Sequence, residues 1–221
     1  MSGADTSTGR GRFIVLEGVE GAGKSTAMAV AGETLAALGA DPVVTREPGG
    51  TPLGEAIRSL LLDHRQAGMS ARAEALLVFA ARAEHLDKRI APALAGGKTV
   101  LCDRFTDASY AYQGAGRALG AAPIATLEEW TQGGLRPDLV LLLDLPVAQG
   151  RARTVGRAAP PDRFEREQDG FFERVRACYR ARAEADPDRY RIIDASQPRA
   201  GVAGQIQDCL RRYWAAAGAG A

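Results

Sequence analysis

The chain has 221 residues, 46% of them hydrophobic and 25% charged, which suits one α/β domain or at most two small ones. Its 28 basic and 27 acidic residues leave a net charge of +1, giving no bulk electrostatic reason to expect a nucleic-acid or membrane partner. Cys102, Cys178 and Cys209 are widely spaced with no CxxC pair, and no apolar run approaches a membrane span or a secretory signal; this argues against metal clusters, disulfide scaffolds and export, and makes a reducing cytoplasm the expected location.

In chain order, residues 1–12 read as a disordered tail rich in Gly, Ser, Thr and Arg. Five short apolar runs, 13–17, 42–45, 99–103, 138–144 and 190–194, predict strands, none with clear polar–apolar alternation. Between them lie helical patterns over 24–38, 53–62, 71–95, 124–132, 169–185 and 201–216, with 215–221 as a second tail. Strands apolar on both faces belong in a parallel sheet covered on both sides. The expectation is a single α/β domain over 13–214, a five-stranded parallel sheet flanked by helices, with a charged flap over 151–167 as a mobile lid.

One motif carries chemistry on its own. Gly18-Val19-Glu20-Gly21-Ala22-Gly23-Lys24-Ser25 fits the P-loop pattern, follows a predicted strand and opens a predicted helix. Its glycines let successive N–H groups turn inward toward phosphate, and the helix start at Lys24, Ser25 and Thr26 adds its positive end. Lys24 is expected at the β- and γ-phosphates of ATP and Ser25 on Mg²⁺. A P-loop alone leaves GTPases, ATPases, helicases and small-molecule kinases open. There is no Asn-Lys-x-Asp guanine-reading segment and no room for a helicase-sized second domain, which favours a kinase. Asp103 and Arg104 end a predicted strand where ligands of doubly wound sheets bind. The carboxylate there can hold a Mg²⁺ water shell or orient an acceptor, and the guanidinium can fork onto a phosphate.

Four segments together resemble the thymidylate kinase family: the P-loop, Thr45-Arg46-Glu47-Pro48-Gly49-Gly50-Thr51, Phe79-Ala80-Ala81-Arg82, and Asp103-Arg104-Phe105 running to Ala111-Tyr112-Gln113-Gly114. The resemblance spans Phe13 to about Tyr213. It implies a P-loop NTPase fold and phosphorylation of dTMP by ATP with Mg²⁺, supplying dTTP for DNA replication. It implies that the tight loop at Pro48-Gly49-Gly50 lies over bound dTMP with Arg46 near its phosphate. Arg82 would donate to thymine O4, and Ser109 and Gln113 would hydrogen-bond the pyrimidine edge. Tyr112 would pack under the deoxyribose, and Glu20 would contact its 3′-hydroxyl. The family's stacking aromatic falls at position 78, which here is Val78, so Phe79 either stacks in its place or belongs to the core.

The flap holds Arg151, Arg153, Arg157, Arg163 and Arg166, broken by Gly156 and Pro160-Pro161. Phosphoryl transfer needs cations that close over the reaction. One subgroup of the family carries that arginine in its P-loop after the acid; here Gly21 follows Glu20. The resemblance therefore assigns the role to the lid, with Arg157 and Arg163 as first candidates and Arg153 next. It further implies that the segment 190–198 packs on adenine, and that the enzyme is a homodimer using helices such as 71–95. The alternatives are a kinase of another nucleoside monophosphate and a non-catalytic P-loop binding module.

Overall fold

A computed structural model of the chain describes residues 10–66, 68–154 and 162–218. Five parallel strands, β1 (Phe13–Gly18), β2 (Val43–Arg46), β3 (Val100–Asp103), β4 (Leu139–Asp144) and β5 (Tyr190–Asp194), form one sheet in the order β2-β3-β1-β4-β5. The lack of alternation has a direct cause. Phe13 and Val15 of β1 enter the core layer on one face, while Ile14 and Leu16 enter the layer on the other. Both faces are covered, so every position of β1 is buried.

The register sets the site. Leu16 lies opposite Asp103, and Arg46 opposite the same residue from the other side, so the carboxyl ends of β1, β2 and β3 open at one edge. On one face, α1 (Lys24–Ala37) and α9 (Arg199–Gly218) cover the sheet. On the other, α8 (Asp169–Ala185) packs Phe171, Phe172, Val175 and Tyr179 against it.

The remaining helices between β2 and β4 are α2 (Pro52–Leu62), α3 (Ala71–His85), α4 (Ala91–Ala95), α5 (Thr106–Ser109) and α6 (Ala121–Gln132). Thr51 caps α2, accepting from the Gly54 N–H at 3.0 Å with Pro52 following it, and Ser70 caps α3 in the same way. The helix expected over 71–95 runs as α3, a π-helical turn Leu86–Ile90, and α4. Pro92 has no N–H to return to a carbonyl four residues back, so the regular ladder is interrupted there. A second π-helical stretch, Tyr110–Gly116, continues α5 and carries the residues after Ser109.

Three of the differences from the sequence reading concern the tails and the flap; in addition α6 and α9 begin two or three residues earlier than expected, and the helical stretch over 106–116 is not among the expected helices. Arg10 is tied to Asp138 at 2.9 Å and the Gly11 N–H to the Leu94 carbonyl at 2.8 Å, so order begins before residue 13. Helix α9 continues past 215 to Gly218. The start of the charged flap is helical, as α7 (Val147–Thr154). The tail residues 1–9 and 219–221, and flap residues 155–161 with Arg157, lie outside the described residues.

Candidate active site

Between β1 and α1 the chain turns through Val19–Gly23. Gly21 (φ 77°) and Gly23 (φ 87°) occupy the left-handed region, where a side chain costs about 1 kcal/mol. At Gly21 space is lacking as well, because a Cβ would sit 2.2 Å from the Gly150 carbonyl oxygen of α7. Lys24 folds back, its Nζ donating to the Gly18 and Val19 carbonyls at 3.1 and 3.4 Å. Burial, reinforced by the nearby Arg104 guanidinium, lowers its ammonium to about 8. An anionic phosphate there would oppose that shift.

Beside this loop, β3 ends in Asp103, and Arg104 follows with φ 69°. A non-glycine residue in that region is strained and is held by its surroundings. Arg104 Nη1 donates to the Tyr179 hydroxyl and Nη2 to Glu20 Oε1, both at 3.0 Å, with the guanidinium 4.8 Å from the Tyr112 ring centre. The Tyr112 hydroxyl donates to Glu20 Oε2 at 2.7 Å. Burial raises that phenol well above its usual range, so it stays a donor. The P-loop acid, Arg104 and Tyr112 thus meet in one cluster. Asp103 Oδ1 is buried without a partner among the described residues.

Arg82 projects from α3 and is almost wholly buried, sandwiched between Phe79 and Phe105 with ring centres at 4.5 and 5.1 Å. Its Nε donates to Glu47 Oε2 at 2.7 Å, and Nη2 to the Phe105 carbonyl and to Ser109 Oγ at 3.1 and 2.9 Å. Glu47 also takes His85 Nδ1 at 3.0 Å, and His85 Nε2 meets Thr45 Oγ1 at 2.7 Å. Since a carboxylate only accepts, His85 carries its proton on Nδ1. Of the three guanidinium nitrogens of Arg82, Nη1 is buried without a partner among the described residues.

Most of these side chains, though not Thr45, Phe79, His85 or Tyr179, line one cavity of about 780 Å³. Residues 20–26 of the P-loop and helix start lie along it, with Asp103, Arg104, Arg82, Ser109, Tyr112 and Gln113 also in its lining. Ala27 and Val30 of α1, with Pro198, Val202 and Ile206 around α9, give an apolar wall in the direction expected for adenine. Arg153 of α7 also lines it, donating to the Ala195 carbonyl at 2.8 Å.

Three expected residues lie elsewhere. Phe79 packs with Ala75 and Ile124 in a small core and does not line the cavity; Val78 does. Arg46 turns outward to Glu55, with Nη2 to Oε2 at 2.8 Å, and Arg58 lines the cavity near Pro48, donating to its carbonyl at 3.0 Å. Arg163, within the flap, is itself buried, paired with Glu74 at 2.6 Å and donating to the Leu61 carbonyl. Sequence reasoning missed Arg58, Glu47, His85 and Glu74. The last two had a signal: Glu74, Val78, Arg82 and His85 fall on one helical stripe that is otherwise apolar.

Such a layout, a phosphate cradle facing a polar acceptor wall across one cavity, belongs to the P-loop kinases that act on small phosphate acceptors. Comparison with known proteins narrows the class. The family model described as Thymidylate kinase matches residues 16–206. Thymidylate kinase of Alkalilimnicola ehrlichii is 62% identical over 201 residues, 91% of this chain and 93% of that protein. Those of Halorhodospira halophila and Pseudomonas savastanoi pv. phaseolicola are 54% and 56% identical, over 90% of this chain and 94% and 95% of theirs. The chain belongs to the thymidylate kinase family, and is an ATP-dependent nucleoside monophosphate kinase of the P-loop fold.

Proposed function

We propose that this cavity passes the γ-phosphate of ATP to dTMP, giving dTDP and ADP, with the base read by Arg82. One observation carries the choice of base. A buried guanidinium whose Nε and Nη2 make three bonds, and whose Nη1 has no partner among the described residues, keeps two N–H donors on one nitrogen, which suits a carbonyl such as thymine O4. An unmade bond at a buried group is expensive, so a base lacking that acceptor is rejected. Ser109 and Gln113 complete the polar edge. Tyr112 and Glu20, hydrogen-bonded to each other, form the sugar end, with Glu20 at the 3′-hydroxyl. Arg104 and Arg58 take the acceptor phosphate, with Arg46 and Pro48 at the rim.

Lys24 holds the β- and γ-phosphates along the Gly18–Thr26 loop. Ser25 and Asp103 suit Mg²⁺, since a hydroxyl and an orphaned carboxylate oxygen are hard donors; Mg²⁺ when bound neutralises charge on the transferring phosphates. The protein's own part is to align the two phosphates and exclude water. Arg153, with Arg157, supplies the lid cation. We further read the enzyme as a homodimer of the reducing cytoplasm, supported by exposed apolar side chains on α2, α3 and α6 and by three free thiols.

An ADP-release assay over dTMP, dUMP, UMP, AMP and GMP tests this reading. dTMP is expected to turn over best, with AMP and GMP at least ~10²-fold lower in kcat/KM. A purine preference rejects the base assignment, and no turnover with any acceptor leaves a binding module.

A further inference from the structure

Gln113 is held in one sense only. Its Nε2 donates to Glu74 Oε1 at 2.8 Å, and a carboxylate oxygen accepts but cannot donate. The amide nitrogen is therefore the end turned to Glu74, and the carbonyl is the end left for the cavity that Gln113 lines. Glu74 is fully buried on the inner stripe of α3, one turn from Val78 and two from Arg82. Its second oxygen takes Arg117 Nε at 3.1 Å and Arg163 Nη1 at 2.6 Å. Two guanidinium groups on one buried carboxylate compensate its charge and fix its place.

We propose that Glu74 is a positioning residue for base choice. By setting the polarity of the Gln113 amide, it makes the cavity present a carbonyl acceptor together with the Arg82 Nη1 donor. That pair complements the N3–H and O4 of thymine or uracil. It opposes cytosine, whose N3 is an acceptor and whose 4-amino group is a donor. An amide free to flip would offer its NH₂ instead, which cytosine N3 accepts. The inference rests on the proposed reading of the pyrimidine edge by Arg82 and Gln113, and extends it to a residue out of reach of the substrate.

The test uses the full chain and kcat/KM for dTMP, dUMP and dCMP. In Glu74→Gln the new amide can either accept or donate, so the Gln113 amide loses its single sense. The preference for dTMP over dCMP is expected to fall about tenfold or more, while that for dTMP over dUMP changes less than about threefold, because those two share N3–H and O4. A merely structural role would lower all three together and keep both ratios, which overturns the proposal. Gln113→Leu separates the layers. If it also leaves the dTMP-to-dCMP ratio intact, Gln113 does not read the base at all; if it collapses the ratio and Glu74→Gln does not, only the role of Glu74 falls. Should Glu74→Gln fail to fold, the wild-type chain still decides. The ¹⁵N-labelled side-chain amide of Gln113, identified by its loss in Gln113→Leu, is expected to show one proton protected from solvent exchange with and without dTMP. Free exchange of both protons overturns the proposal.

Discussion

Glu17 ends β1 and is fully buried, its Oε1 accepting from the Phe105 N–H at 2.8 Å and its Oε2 from the Tyr179 hydroxyl at 2.7 Å. It ties the strand that delivers the P-loop to the backbone just after Asp103-Arg104. Burial first, and the Asp107 carboxylate second, raise its carboxyl from 4.5 to about 7. A raised acid binds its proton more tightly in the folded chain, so its stabilising contribution is full below pH 4.5 and is lost as pH rises through about 7. In Glu17→Gln the amide oxygen still accepts from Phe105, and no charge has to be buried at high pH. The difference in Tm, variant minus wild type, is therefore expected to rise by several °C between pH 5 and pH 8. A difference that stays flat across that range would mean Glu17 does not titrate between those pH values, and would sink the account.

At the scale of elements, α7 sets where Arg153, the described arginine proposed as a lid cation, is held. Gly150 sits against the P-loop so closely that a Cβ there would lie 2.7 Å from the Glu20 carbonyl oxygen. That contact clamps the helix to the loop and brings Arg153, three residues on, to the cavity wall. Arg153→Ala is expected to lower kcat ~10²-fold while KM for ATP and dTMP shifts only a few-fold, since a cation acting on developing charge is used in the transition state. A raised KM with kcat intact would make Arg153 a ground-state contact. The same helix marks a limit of what sequence shows. The strands were legible because burial on both faces leaves continuous apolar runs. The P-loop and the Asp103–Arg104 exit were legible because their chemistry is local. By contrast, α7 is short and ends in arginines, so 151–154 read as flap and 147–150 as no element. Arg163 was misplaced because nothing near it in sequence says that Glu74, far away along the chain, will claim it. Arg58 was overlooked in favour of Arg46 because which guanidinium faces the cavity depends on Glu55 drawing Arg46 outward.

For the whole molecule, the outer faces of the acceptor helices remain to be explained. Leu53 and Leu60, seven residues apart on α2, are 53% and 40% exposed, Leu76 on α3 is 52% exposed, and Trp130 on α6 is 84% exposed. These helices pack side by side, α2 on α3 and α3 on α6. The inner stripe of α3 carries Glu74, Val78, Arg82 and His85, while Leu76 lies on the opposite side. A surface of this kind, with an aromatic anchor among leucines, is what a subunit interface buries. A stable one needs about 800 Å² from each partner. If a second copy covers it, the wild-type chain elutes at twice its own mass at micromolar concentration, as light scattering would read. Leu76→Glu with Trp130→Glu places charge in the buried centre, and is expected to give a monomer. The monomer should keep its fold, since both side chains are exposed in the single chain, but melt several °C lower and turn over dTMP more slowly because α3 loses its outer support. A wild-type monomer, or a double variant that stays dimeric, would place the interface elsewhere or nowhere.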